Sequence, residues 1–287
     1  MRRSLDGLSV GDAFGQCFFM DPAVVVSTLE ARTLPKGPWY YTDDTEMALS
    51  VVECLERRGR IDEDELAQAF AERYSRAPNR GYGGTAHEIL RAICMGESWR
   101  TAAQRVFSGD GSMGNGAAMR VAPLGAYFAE DLDAVRAQAL ASAAPTHAHV
   151  DGQAGAVAVA IATAMVWQKR QDLDPGPMFR AVLDHTPDGP TRRGIEKACE
   201  LLAQDMSVPS AAAILGSGYR VISSDTVPFA LFCVGRFFRD GFAEAMWQTV
   251  SGLGDRDTTC AIVGGILAMT ESDIPAEWLS WREPLVY

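Results

Sequence analysis

Apolar residues recur along most of this chain with the period of a helix. Ala48, Val51, Val52 and Leu55 stand at i, i+3, i+4 and i+7, the stripe a helix turns toward a core. Gly59 is placed to end that helix, because glycine enters the left-handed conformation without steric cost. Asp62 followed by Glu65 forms a capping box that opens a further helix through Leu66, Ala69 and Phe70. Comparable runs cover residues 86–95, 132–143, 150–168, 177–184, 192–204, 227–239 and 258–269. Period-two alternation is scarce, and no glycine-rich turn follows a strand-like run. There are no repeats, low-complexity segments or long Pro/Gly/Ser linkers. The pattern predicts an all-α chain of roughly ten or more helices, folded as one domain over residues 1–287.

Against this background the breaks in periodicity stand out. Residues 7–15, 40–46, 80–84, 109–116 and 251–257 combine glycine with Asp, Asn or Thr, and read as loops. Functional side chains sit on loops more often than inside helices, so candidate chemistry is sought there.

Composition narrows the partners. Lys and Arg number 26 against 37 Asp and Glu, for a formal charge of −11. That balance argues against a nucleic-acid surface and against an anionic membrane. Asp6 and Asp12 interrupt the start before a signal-peptide core develops, and the Ala/Val-rich stretch 154–167 is shorter than the roughly 20 apolar residues of a membrane helix. Six scattered cysteines without a CxxC pair suit reduced thiols, mostly buried, in a cytoplasmic protein.

The first chemical candidate is Thr42, Asp43, Asp44 and Thr45 at a helix mouth. Adjacent carboxylates flanked by hydroxyls form an oxygen-only ligand set suited to Mg²⁺ or Mn²⁺. Asp43 with Glu46 also reads as a capping box, which would explain an acidic helix start without any metal. The second candidate is Gly254, Asp255, Arg256, Asp257 and Thr258 at another helix mouth, where Asp257 could equally be an N-cap with Asp255 in the turn before it. If the two mouths met, four carboxylates would repel one another, and one or two divalent ions would resolve the conflict. Asp43, Asp44 and Glu46 also imitate the DDxxE motif of helical isoprenoid synthases, but Ser223, Ser224 and Asp225 do not supply the second motif that chemistry needs. His149 lies two residues from His147, a spacing that does not place both rings on one helical face for zinc.

Taken in order, 7–15 (GLSVGDAFG), 42–47 (TDDTEM), 114–125 (GNGAAMRVAPLG), Thr146-His147 and 254–258 (GDRDT) resemble the ADP-ribosylglycohydrolase family. The resemblance extends to Ile274, Pro275 and Trp278. It implies an all-α orthogonal helical bundle and a binuclear Mg²⁺ centre, with Mn²⁺ as the alternative ion. The metal ligands it implies are Thr42, Asp43, Asp44, Asp255, Asp257 and Thr258, with Asp43, Asp44 and Asp257 catalytic. Ser112, Gly114, Asn115, Gly116 and His147 would then contact an ADP-ribose moiety, as would the loop of Gly81, Tyr82 and Gly83. Glycines and free N–H groups at a helix start near Ala117 would suit its diphosphate, although a flexible Gly/Asn turn gives the same sequence. Tyr82 would stack on the ligand or cover the core edge. The partner implied is ADP-ribose or an ADP-ribosylated protein or small molecule.

Three positions depart from the family pattern. Phe19 stands where many members carry a glutamate, which takes away a candidate acid or base and leaves Asp21 the nearest acid. Arg256 replaces a threonine, with its side chain expected to point outward, and Leu253 replaces a glycine. Two readings follow: a Mg²⁺-dependent hydrolase, and an ADP-ribose-binding relative with little or no turnover.

Overall fold

The computed structural model of the protein describes residues 1–170 and 174–287. Among them are seventeen α-helices and no strand; extended pairing is limited to isolated bridges at Trp39–Arg282 and Gly114–Ile222. The periodic runs appear as Gly84–Cys94, Leu132–Ala143, Val150–Gln168, Gly176–His185, Pro190–Ala203, Ser223–Phe237 and Arg256–Leu267. The helix Asp43–Arg58 ends where Gly59 takes φ 68°, and Glu63–Arg76 opens with Asp62 accepting from the Glu65 N–H at 3.2 Å. The helix Val150–Gln168 has the length and apolarity of a membrane span but runs through the interior, buried on nearly every side. It has no polar face because every face meets protein.

One expectation fails instructively. Residues 7–15 are not a loop but part of the N-terminal helix Arg2–Gln16. Gly7, Gly11 and Gly15 fall at i, i+4 and i+8, on a single face, and that face lies against the helix Arg256–Leu267. A Cβ at Gly7, Gly11 or Gly15 would collide with the backbone carbonyl of Gly264, Cys260 or Arg256. The glycines therefore serve close backbone approach rather than a turn. The segment 18–41, which lacks a readable pattern, contributes the helix Pro22–Ala31, capped by Asp21.

Aromatic packing surrounds the C-terminal end of the helix Arg2–Gln16. Phe14 stacks on Trp278 at 4.7 Å and meets Phe18, Trp39 and Trp247 edge to face. The helices Arg2–Gln16 and Ala276–Trp281 are thereby clamped together. The cysteines are all unpaired, but only Cys54, Cys233 and Cys260 are buried; Cys94 is exposed.

Candidate metal and ligand site

The two acidic helix mouths face one another. Thr42 is the N-cap of Asp43–Arg58, its hydroxyl accepting from the Asp44 N–H. Asp43 and Glu46 do not form the expected capping box, because Glu46 is drawn away to Arg73 at 3.1 Å and Arg80 at 3.6 Å. At the other mouth Asp255, not Asp257, holds the N-cap position and makes no side-chain cap bond. Asp257 lies in the first turn and accepts from the Thr258 N–H at 2.9 Å. Across the gap the Thr258 hydroxyl donates to Asp44 Oδ2 at 3.4 Å.

A third carboxylate completes the cluster. Asp12, carried by the glycine-faced helix, is fully buried and accepts from the N–H groups of Thr42 and Thr45 and from both hydroxyls. Carboxylate oxygens of Asp12, Asp44 and Asp257 lie within 4.8 Å of one another. Sequence reasoning passed over Asp12, although an aspartate beside Gly11 in an otherwise small and apolar stretch was the available signal.

Donors are too few for these oxygens. The Thr42 hydroxyl lies 2.9 Å from Asp12 Oδ1 and 3.1 Å from Asp44 Oδ2, yet carries one proton. Asp44 Oδ1 is buried with no partner among the described residues. Burial and the charges of Asp12 and Asp257 hold the Asp44 carboxyl far above the ordinary range. Burial, with Asp255 and Asp12, does the same to Asp257. Asp43 is pushed up to about 8 by burial and the Asp12 charge, and Asp12 to about 6 by burial, against the hydrogen bonds from Thr45 and Thr42. Asp255 is raised by burial and opposed by its bond from Asn115. Hard oxygen ligands, mutual repulsion and an orphaned buried oxygen together fit a divalent cation.

The remaining motifs border this cluster. Asn115 Nδ2 donates to Asp255 Oδ2 at 2.7 Å and to the Thr226 hydroxyl at 3.1 Å, tying the 114–116 loop to the second mouth. Ser112 Oγ accepts from the Gly114 N–H, and the edge of the His147 ring faces Gly114 and Gly116. The helix that follows, Gly116–Met119, is a single turn, shorter than the anion-binding argument from a helix start assumed. Gly81, at φ 93°, lies against Thr42 and Asp43, whose N–H donates to the Arg80 carbonyl at 2.7 Å. Gly83 borders open space. Tyr82 covers the core edge, buried edge-on against Tyr74 at 5.1 Å.

Arg256 does not point outward as expected. It donates to the Phe18 carbonyl and lies over the Phe19 ring at 5.0 Å, where cation–π attraction holds it. Two of the three departures from the family pattern, Phe19 and Arg256, are therefore in contact.

The chain is similar to known proteins over nearly its whole length. The family model described as ADP-ribosylglycohydrolase matches residues 1–284. The zebrafish (Danio rerio) ADP-ribosylhydrolase ARH3 is 30% identical, the alignment covering 98% of this chain and 85% of that protein. The Rhodospirillum rubrum ADP-ribosyl-[dinitrogen reductase] glycohydrolase is 29% identical, covering 96% and 87%. A solved structure titled ADP-ribosylglycohydrolase-related protein complex shares the fold, with a TM-score of 0.59 at 22% identity over 98% of this chain and 92% of that one.

Proposed function

The chain belongs to the ADP-ribosylglycohydrolase family, and we propose that it hydrolyses the N- or O-glycosidic bond linking ADP-ribose to a protein side chain or small acceptor. The observation that carries this reading is the cluster of Asp12, Asp44 and Asp257, with no cationic side chain among them and Asp44 Oδ1 unpartnered. Thr42, Asp43, Asp44, Asp255, Asp257 and Thr258 would hold two Mg²⁺ ions, or Mn²⁺. When bound, the ions supply positive charge that orients the ribose and stabilises charge developing as the acceptor leaves.

The chain's own groups do the rest. Asp12 holds the N–H groups of Thr42 and Thr45 and so fixes the first mouth. Asn115 holds Asp255 and thereby the second. Ser112, Gly114, Gly116 and His147 line the approach where the diphosphate would lie, with Gly81, Tyr82 and Gly83 on the Asp43 side. The unit is residues 1–287, working in the cytoplasm, where an exposed thiol such as Cys94 stays reduced.

The test is release of free ADP-ribose from ADP-ribosyl-arginine, ADP-ribosyl-serine and O-acetyl-ADP-ribose, with Mg²⁺ and with a chelator. Metal-dependent release from any of the three supports the hydrolase. A specific observation favours a second reading: at the position where many family members carry a glutamate stands Phe19, half exposed and covered by Arg256. No release from any substrate, with Mg²⁺-dependent stabilisation by ADP-ribose, would make the protein a binder.

A further inference from the structure

Arg120 is fully buried, yet forms no ion pair with a carboxylate among the described residues. Its guanidinium lies over the Phe70 ring at 4.4 Å. Nη1 donates to the Gly116 carbonyl at 3.1 Å, and Nη2 to the Ser142 carbonyl at 2.8 Å and the Thr146 hydroxyl at 2.9 Å. A guanidinium only donates, so Thr146 Oγ1 is the acceptor in that contact. The hydroxyl proton then has one remaining neighbour, His147 Nδ1 at 2.7 Å.

Hydrogen-bond bookkeeping settles the ring. If Nδ1 carried the proton and donated to Thr146, the hydroxyl hydrogen would be stranded in a buried site without an acceptor. With the hydroxyl donating to Nδ1, both the hydroxyl hydrogen and the Nδ1 lone pair are satisfied, and the ring proton sits on Nε2. Burial and the Arg120 charge push the imidazolium down to about 3, so the ring is neutral. Nε2 has no hydrogen-bond partner among the described residues. It faces the loop whose glycines leave it room: a methyl at Gly114 would lie 3.3 Å from Nε2, and one at Gly116 3.2 Å from Cε1.

We propose that Arg120 and Thr146 are positioning residues that fix His147 as its Nε2–H tautomer, so that it presents a single neutral N–H donor to an oxygen of the ligand over the 114–116 loop. The identity of that ligand rests on the proposed function; the tautomer does not.

The experiment uses long-range ¹H–¹⁵N spectra of the histidine rings in the unliganded, metal-free protein. Only four histidines are present, and His147→Gln assigns the signal. The expected result is a protonated Nε2 and an unprotonated, hydrogen-bond-accepting Nδ1. Thr146→Val should mix the tautomers and weaken ADP-ribose binding about tenfold in calorimetry, the scale of one lost hydrogen bond. Thr146→Ser should restore both. A wild-type ring protonated on Nδ1 overturns the proposal, as does a Thr146→Val protein with unchanged tautomer and affinity. A correct tautomer in a protein that fails to bind ADP-ribose supports the positioning role and refutes the proposed function instead.

Discussion

The helix Asp43–Arg58 carries two buried carboxylates two residues apart whose surroundings are opposite. Glu46 meets Arg73 and Arg80, Arg73 also holds Glu53, and Arg80 pairs with Glu283. Asp44 meets Asp12, Asp257 and two threonine hydroxyls, and among the described residues it pairs with no lysine or arginine. Both are nearly inaccessible. Burial of a charge is therefore not what distinguishes them; the source of the countercharge is. At Glu46 the chain supplies it, which marks structure. At Asp44 the chain withholds it, and the proposed site is where a cation from outside completes the electrostatics.

Opposite substitutions should separate the two regions, and the largest effect belongs to the acid cluster. Asp257→Ala should lower the proposed hydrolysis at least about a hundredfold, since even outer-shell changes cost up to that much in metal affinity or activity. Asp44→Asn should leave the metal-free protein no less stable, because it relieves repulsion, while abolishing stabilisation by Mg²⁺. Arg73→Met should do the reverse. Removing one partner of a buried ion pair costs roughly 3–5 kcal/mol, yet the shift in melting temperature on adding Mg²⁺ should persist. Thermal denaturation of the three proteins with Mg²⁺ and with chelator reads both effects. A normal Mg²⁺ response in Asp44→Asn would remove the metal site from Asp44.

How far this division was legible in the sequence depends on the range of the interactions involved. Helix periodicity is local, so runs such as 150–168 and 258–269 could be read to within a few residues. The two acidic mouths were also local, each being a short run of Asp and Thr. What was not local was the partner of each carboxylate. Asp43 and Glu46 have capping-box spacing, but Arg73, 27 residues away, takes the glutamate. Asp12 looked like a loop residue because Gly7, Gly11 and Gly15 signal turns as readily as close packing. Only the helix 256–267, far along the chain, decides between those meanings. The contact of Phe19 with Arg256 was hidden in the same way.

The next effect is on pH. The carboxyls of Asp43, Asp44 and Asp257 are raised in the folded state, Asp43 to about 8, so the metal-free fold holds protons that the unfolded chain releases. Stability from these groups is complete below the ordinary carboxylate range. It is lost as pH rises through the raised values, by up to about 1.4 kcal/mol per pH unit for each proton linked. A divalent ion competes with those protons. The gain in melting temperature on adding Mg²⁺ should therefore grow steadily between about pH 5 and 8. The ion-paired region predicts no such growth, so a gain that stays flat with pH would show that the cation binds elsewhere.

The smallest effect tests whether the two regions are as separate as the comparison makes them. Glu283 Oε1 accepts from the Tyr41 N–H at 2.9 Å, and its carboxylate pairs with Arg80. Arg80 in turn donates to the Tyr41 carbonyl at 2.9 Å, and its own carbonyl receives the Asp43 N–H. Glu283 thus braces both the segment entering the first mouth and the turn leading to Gly81. Because the pair is partly exposed, screening limits Glu283→Gln to about 1 kcal/mol, or roughly 2–4 °C in melting temperature for a domain of this order. If the brace also positions Asp43, Mg²⁺ affinity should fall several-fold in Glu283→Ala and less in Glu283→Gln, which keeps an acceptor for the Tyr41 N–H. Lower melting temperatures with unchanged Mg²⁺ affinity in both variants would confine the ion-paired network to stability. The acid cluster would then owe its geometry to Asp12, Asn115 and the glycine-faced helix pair alone.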